Sequence, residues 1–144
     1  MGNADRTCKI LVVDDEQGPR EAMRMILKDL YEVTVLDDAV KALERVAAGD
    51  IDVVALDIKM PKVNGLELLQ NIKKTSPDVE VFFMTGFPSA DTAIRAMQFG
   101  AYDYVIKPFD RDAVLNVIRK GINRRNQNLL EKDVLGDLRF LKWV

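Results

Sequence analysis

The stretch Lys9-Ile10-Leu11-Val12-Val13-Asp14-Asp15 is a short, continuous apolar run that halts at two carboxylates. A run of this length and composition reads as a strand buried on both faces. The pattern recurs along the chain. Asp52-Val53-Val54-Ala55-Leu56 halts at Asp57, Val79 to Met84 runs into Thr85-Gly86, and Tyr102 to Ile106 runs into Lys107-Pro108. Glu32 to Leu36 alternates more weakly and supplies one more strand, second in chain order.

Between these runs the apolar spacing lengthens to the period of a helix. Ala22, Met23, Ile26, Leu27 and Leu30 predict a helix over 20–30, and Ala42, Leu43 and Val46 predict another behind an Asp38 cap and before Gly49. Leu68, Leu69 and Ile72 follow the Met60-Pro61 and Asn64-Gly65 punctuation and stop at Ser76-Pro77. Ala93, Ile94 and Met97 form a helical face between Ser89 and Gly100. Asp110 caps a last helix whose pattern continues past Gly121 to Leu129-Leu130, with Val134, Leu138 and Leu141 as a broken apolar stripe.

Strands alternating with helices over short connections predict an α/β domain: a parallel sheet covered on both faces by right-handed crossovers. The first, third and fourth strands are the most apolar and belong at the centre. In such a sheet the strand carboxyl ends share one edge. Asp14, Asp15, Asp57, Thr85 and Lys107 therefore converge into one pocket. Each has a plainer role alone: a strand-ending turn, a cap, a surface lysine. Only the conjunction carries chemistry. Carboxylates crowded together repel unless a cation sits among them, and an all-oxygen donor set favours Mg²⁺ or Mn²⁺ over zinc.

The 144 residues are 48% apolar and 31% charged, as expected for one globular domain rather than a disordered chain. A net charge of −2 gives no global case for nucleic-acid binding. Its distribution is uneven: residues 1–110 hold 13 basic against 19 acidic side chains, and 111–144 hold 8 against 4. The basic tail, with Arg119-Lys120 and Arg124-Arg125, is either a solvated helix face or an interaction surface. Histidine is absent, which excludes imidazole acid–base catalysis, His-ligated metals and a phosphohistidine on this chain. One cysteine, Cys8, cannot form an internal disulfide and fits a reducing, cytoplasmic location. No apolar run is long enough to span a bilayer, and the N-terminus lacks a signal-peptide pattern, so no membrane association is expected.

Four pieces carry a family resemblance. They are Val12-Val13-Asp14-Asp15-Glu16, Leu56-Asp57-Ile58-Lys59-Met60-Pro61-Lys62-Val63-Asn64-Gly65, Met84-Thr85-Gly86, and Gly100-Ala101-Tyr102-Asp103-Tyr104-Val105-Ile106-Lys107-Pro108-Phe109. Together, over roughly residues 7–125, the chain resembles the receiver domain of two-component response regulators. The resemblance implies a flavodoxin-like sheet of five strands in the order 2-1-3-4-5. It makes Asp57 the phosphoacceptor, with Asp15, Asp57 and the Lys59 backbone carbonyl as Mg²⁺ ligands and Asp14 acting through a water. Lys107 would neutralise a phosphoryl oxygen across a Lys-Pro bond that is commonly cis. Thr85 would bond another phosphoryl oxygen, and Tyr104 would swing into the space Thr85 leaves. Lys59 and Phe87 stand at positions that tune dephosphorylation in this family.

The partners so implied are a sensor histidine kinase and a second copy of the chain, through the face of the fourth helix, fifth strand and fifth helix. The domain would not be an enzyme beyond taking phosphate from a donor and losing it again. Its wording looks most like receivers of AAA+ enhancer-binding transcription activators. That suggests an N-terminal extension over 1–6, a receiver over 7–122 and a helical linker or dimerisation segment over 123–144. The ATPase and DNA-binding output domain is expected outside these residues, so the chain itself would not contact nucleic acid. Three other readings stand beside this one. The chain is a stand-alone or phosphorylation-independent binding module, or an Asp-nucleophile phosphatase whose Asp-x-Asp signature Asp14-Asp15-Glu16 does not match. The final helix, in turn, would pack on its own domain rather than act as a linker.

Overall fold

The computed structural model describes residues 7–142; the expected extension 1–6 and the side chains of Leu138 and Leu141 lie outside what it describes. Five strands, β1 (Lys9–Val13), β2 (Glu32–Leu36), β3 (Val53–Asp57), β4 (Glu80–Thr85) and β5 (Ala101–Ile106), alternate with five helices among the described residues. The helices are α1 (Gln17–Leu27), α2 (Ala39–Ala47), α3 (Gly65–Thr75), α4 (Ala90–Gln98) and α5 (Arg111–Lys142). All strands pair in parallel in the order β2-β1-β3-β4-β5, the flavodoxin-like arrangement. Chain order doubles back between β1 and β3, which is where this topology opens a crevice.

Alternate residues of each central strand feed two cores. Leu11, Val13, Val54, Leu56 and Phe83 pack toward α2, α3 and α4. Ile10, Val12, Val53, Ala55, Phe82 and Met84 pack toward α1 and α5. β3 and β4 are buried at every residue, as strands covered on both faces must be. Asp38, Asn64, Ser89 and Asp110 each accept a backbone N–H at a helix start.

The helices depart from the apolar spacing in two places. α1 begins at Gln17, a turn before the first apolar residue, because Gly18 and Pro19 fill first-turn positions whose N–H groups need no intrahelical partner. It ends at Leu27, leaving Leu30 beyond it and more than half exposed. In α4 the buried residue is Ala96, with Ala93 packed beside it, while Ile94 and Met97 face outward. Small side chains let α4 lie close on the sheet edge, and its large ones are left on the surface.

β5 holds the main irregularity. Val81 pairs with Ala101 but Phe82 pairs with Asp103, so β5 carries one extra residue. Such a bulge shifts the facing of side chains along a strand. Tyr102 joins the α1/α5 core, while Tyr104, two residues on, stacks against Phe83 of the other core at 5.5 Å. Without the bulge both rings would share a face.

α5 runs unbroken through 32 residues, about 48 Å at the usual helical rise. Gly121, which interrupts the apolar pattern, is a packing residue: an added Cβ would stand 2.3 Å from Tyr102 Oη. No helix among the described residues is long and apolar enough to cross a membrane.

Candidate functional site

The carboxyl edge of the sheet brings together the residues expected there. Asp14 follows β1 and is fully buried. Its N–H donates to Leu36 O at 3.1 Å, its carbonyl accepts from Arg20 Nη1 at 2.9 Å, and Oδ1 accepts from Glu16 N at 2.9 Å. Asp57, the last residue of β3, is 3% exposed, and its Oδ1 accepts from Lys59 N at 3.0 Å. Thr85 ends β4 and is equally buried, with Oγ1 accepting from Phe87 N at 3.1 Å. The turn after β5 is tied to the end of β4 by Lys107 N donating to Thr85 O at 2.8 Å. The Lys107-Pro108 peptide bond is cis.

Lys107 closes the pocket electrostatically. Its Nζ lies 2.7 Å from Asp14 Oδ2 and 3.5 Å from Asp57 Oδ2. Among the described residues this ammonium is the group paired with the buried Asp14 Oδ2. Burial raises the Asp57 carboxyl above its ordinary range, and the neighbouring Asp14 charge pushes it the same way. Burial alone would lower the Lys107 ammonium, but the bond and charge of Asp14, with Asp57 and Glu16, more than reverse this and hold it above its usual value.

One ammonium among several carboxylates leaves negative charge uncompensated. Asp14, Asp15, Glu16 and Asp57 each place an oxygen within 4.8 Å of the others. Asp14 and Asp57 are buried, whereas Asp15 and Glu16 are exposed at the rim. A hollow of about 430 Å³ opens beside Asp15, between Asp37-Asp38 and the Met60-Pro61 turn. Four hard oxygen donors within reach of one another, two of them buried, and room for water on one side fit a small divalent cation that keeps part of its hydration shell. Lys59 lies in the same turn, next to Asp57 in this arrangement.

The β3 exit is held against α3 by Gly65, where a Cβ would meet Ile58 O at 2.3 Å. Behind Thr85, a cavity of about 150 Å³ lies between β4 and α4, lined by Phe83, Thr85, Pro88, Ser89, Ala93 and Tyr104. Tyr104 stands at its edge, 38% exposed. Across the mouth, Lys59 Nζ sits 5.5 Å from the Phe87 ring centroid, a cation–π distance. Two participants escaped the sequence reading. Glu16 is one, although its adjacency to Asp14-Asp15 was a signal. Arg20 is the other; it lies a helical turn beyond the acidic pair and pins the Asp14 carbonyl.

An open α/β sheet with an acidic, lysine-closed crevice at its carboxyl edge defines a class of signalling domain. The chain belongs to the response regulator receiver domain family, whose family model matches residues 10–119. It is 37% identical over 127 residues to the DNA-binding transcriptional regulator NtrC of Rhizobium meliloti, covering 86% of this chain and 26% of that protein. It is 39% identical over 104 residues to the transcriptional regulatory protein ZraR of Klebsiella oxytoca, covering 72% of this chain and 24% of that one. Among solved structures, NtrX from Brucella abortus in complex with ADP superposes with a TM-score of 0.84 at 33% identity, over 89% of this chain and 30% of that one. A CheY-like receiver domain protein from Methanospirillum hungatei superposes at 0.79 with 26% identity, over 85% and 98% of the two chains. The chain thus spans about a quarter of the length of the first two curated relatives.

Proposed function

We propose that the chain is a phosphoacceptor switch in which Asp57 takes a phosphoryl group from a phosphohistidine on a sensor kinase. The observation that carries this reading is the convergence of Asp14, Asp57, Thr85 and Lys107 from four strand ends into one crevice, with Lys107 Nζ within 3.5 Å of Asp57. The donor must come from outside, because the chain has no histidine.

An Asp57 carboxylate oxygen attacks phosphorus as the phosphorus–nitrogen bond to the donor imidazole breaks. The bonding pair leaves with the imidazole nitrogen, which takes up a proton, and an aspartyl phosphate forms. Phosphoryl transfer asks a protein mainly for positioning and charge neutralisation. The Lys59 N–H orients Asp57, while Lys107 meets one phosphoryl oxygen. Asp15 and Asp57, with the Lys59 carbonyl and Asp14 through water, would hold Mg²⁺, which supplies compensation for the charge on the phosphoryl oxygens.

Once phosphate is present, the Thr85 hydroxyl turns to bond a second phosphoryl oxygen and Tyr104 moves into the cavity behind it. That biases the outer surface of α4, β5 and α5, where Ile94, Met97, Tyr104 and Ile106 are already exposed. We assign this surface to homodimerisation, residues 7–122 to the receiver and 123–144 to a helical linker that joins an output domain controlling transcription. The test is solution mass with and without beryllofluoride and Mg²⁺. A shift in the self-association of the unmutated chain that is lost in Asp57→Asn supports the reading; the same shift in both chains contradicts it.

A further inference from the structure

The opposite edge of the sheet holds a second charged cluster. Asp52 and Glu80, at the amino ends of β3 and β4, are 2% and 3% exposed. Asp52 accepts from Lys9 N at 2.8 Å and pairs with Arg125 Nη1 at 3.1 Å. Glu80 pairs with Arg124 Nε at 3.1 Å and with Lys73 Nζ at 3.6 Å. One turn earlier on α5, Gly121 lies directly against Tyr102, whose hydroxyl donates to Val117 O at 2.6 Å and whose ring lies under the Arg124 guanidinium at 5.8 Å. Two turns later, Lys132 pairs with Asp78.

The Arg124-Arg125 part of the basic tail is thus seated on its own domain, with Arg125 mostly buried and Arg124 half exposed. Surface ion pairs contribute little, but Asp52 and Glu80 are buried acids that need compensating cations. The Tyr102 hydroxyl also sits where only a glycine on α5 leaves room.

We propose that the amino edge of the sheet is a dock that positions the extended half of α5: Tyr102 seats against Gly121, and Glu80 and Asp52 receive Arg124 and Arg125. Tyr102 and Tyr104 share one strand and face opposite cores across the bulge. A movement of β5 that draws Tyr104 inward is therefore passed by Tyr102 to the direction of α5. This second step rests on the switch reading above; the dock does not.

Gly121→Ala discriminates because the two descriptions of α5 give opposite signs. In a helix standing free of the domain, alanine in place of glycine raises amide protection about fivefold from helix propensity alone. In the docked helix the new methyl group drives Tyr102 and α5 apart, and protection over 122–136 falls. Amide exchange of the full chain reads this directly. The expected result is lost protection beyond residue 121 that exceeds any loss in β1, β3 and β4, and the same pattern in Arg124→Gln/Arg125→Gln, where no steric change intervenes. Raised protection in Gly121→Ala, or unchanged protection in the double arginine variant, overturns the dock. For the coupling, beryllofluoride with Mg²⁺ should alter exchange over 122–136 in the unmutated chain, and less in Gly121→Ala. A fluoride-19 signal of bound beryllofluoride with no change over 122–136 overturns the coupling alone. No bound signal at all overturns the switch reading and the coupling with it, while the dock still stands or falls on exchange without beryllofluoride.

Discussion

Lys107 and Asp14 form a tight charge pair, Nζ to Oδ2 at 2.7 Å, while the same ammonium stands farther from Asp57, at 3.5 Å. The lysine therefore serves chiefly the buried Asp14 carboxylate and stands beside Asp57 without being committed to it.

Removing that ammonium leaves two buried carboxylates facing one another. Lys107→Met should lower stability by about 3 kcal/mol, the scale for a broken buried pair. Mg²⁺ should return part of the loss, because a cation that binds only the folded pocket stabilises it by mass action. Urea unfolding with chelator and then with Mg²⁺ checks both parts.

Asp57→Asn should have the opposite sign. Burial and the Asp14 charge both disfavour ionised Asp57 in the folded protein, so neutralising it near pH 7 relieves an unfavourable charge. In chelator the variant should be more stable than the unmutated chain, and added Mg²⁺ should reverse the order. Thermal melts under the two conditions decide it.

Gly65→Ala strikes the site from behind. Its Cβ would stand 2.3 Å from Ile58 O, a backbone atom that cannot yield cheaply. Overpacking of this kind costs about 1–3 kcal/mol. The displaced Ile58 peptide also disturbs the bond from Lys59 N to Asp57 Oδ1. Slower phosphorylation by acetyl phosphate, alongside lowered unfolding stability, is the expected pair of results.

Thr85→Ala should separate charging from switching. Among the described residues, the bond lost in the resting state is the one from Phe87 N, a cost of about 1 kcal/mol. Asp57 should still accept phosphate, but Tyr104 should keep its outward position, read by the NMR signals of its ring with and without beryllofluoride. Thr85→Ser, which retains the hydroxyl, should restore the response.

The sheet and the pocket were legible in the sequence because both depend on local pattern. Apolar runs ending at Asp14, Asp57, Thr85 and Lys107 mark strands and their carboxyl ends, and parallel topology does the rest. Ala93 and Ala96 in α4 show where that logic stops: the larger Ile94 and Met97 draw the eye, but the small residues make the contact. The β5 bulge and the Tyr102–Gly121 contact arise from tertiary packing, which no periodicity encodes. Gly121 and Arg125 interrupt the apolar pattern of the last helix, and the structure shows why: Tyr102 lies against the glycine and Asp52 pairs with the arginine. The 121–125 turn packs on its own domain, and Leu130 and Val134 are exposed beyond it.

The proposed switch stands on Asp57 itself carrying the phosphoryl group. Intact mass of the chain after incubation with acetyl phosphate and Mg²⁺ reads this. The unmutated chain should gain one phosphoryl group, with no gain in chelator or in Asp57→Asn. No gain in the unmutated chain, or an equal gain in Asp57→Asn, would contradict it.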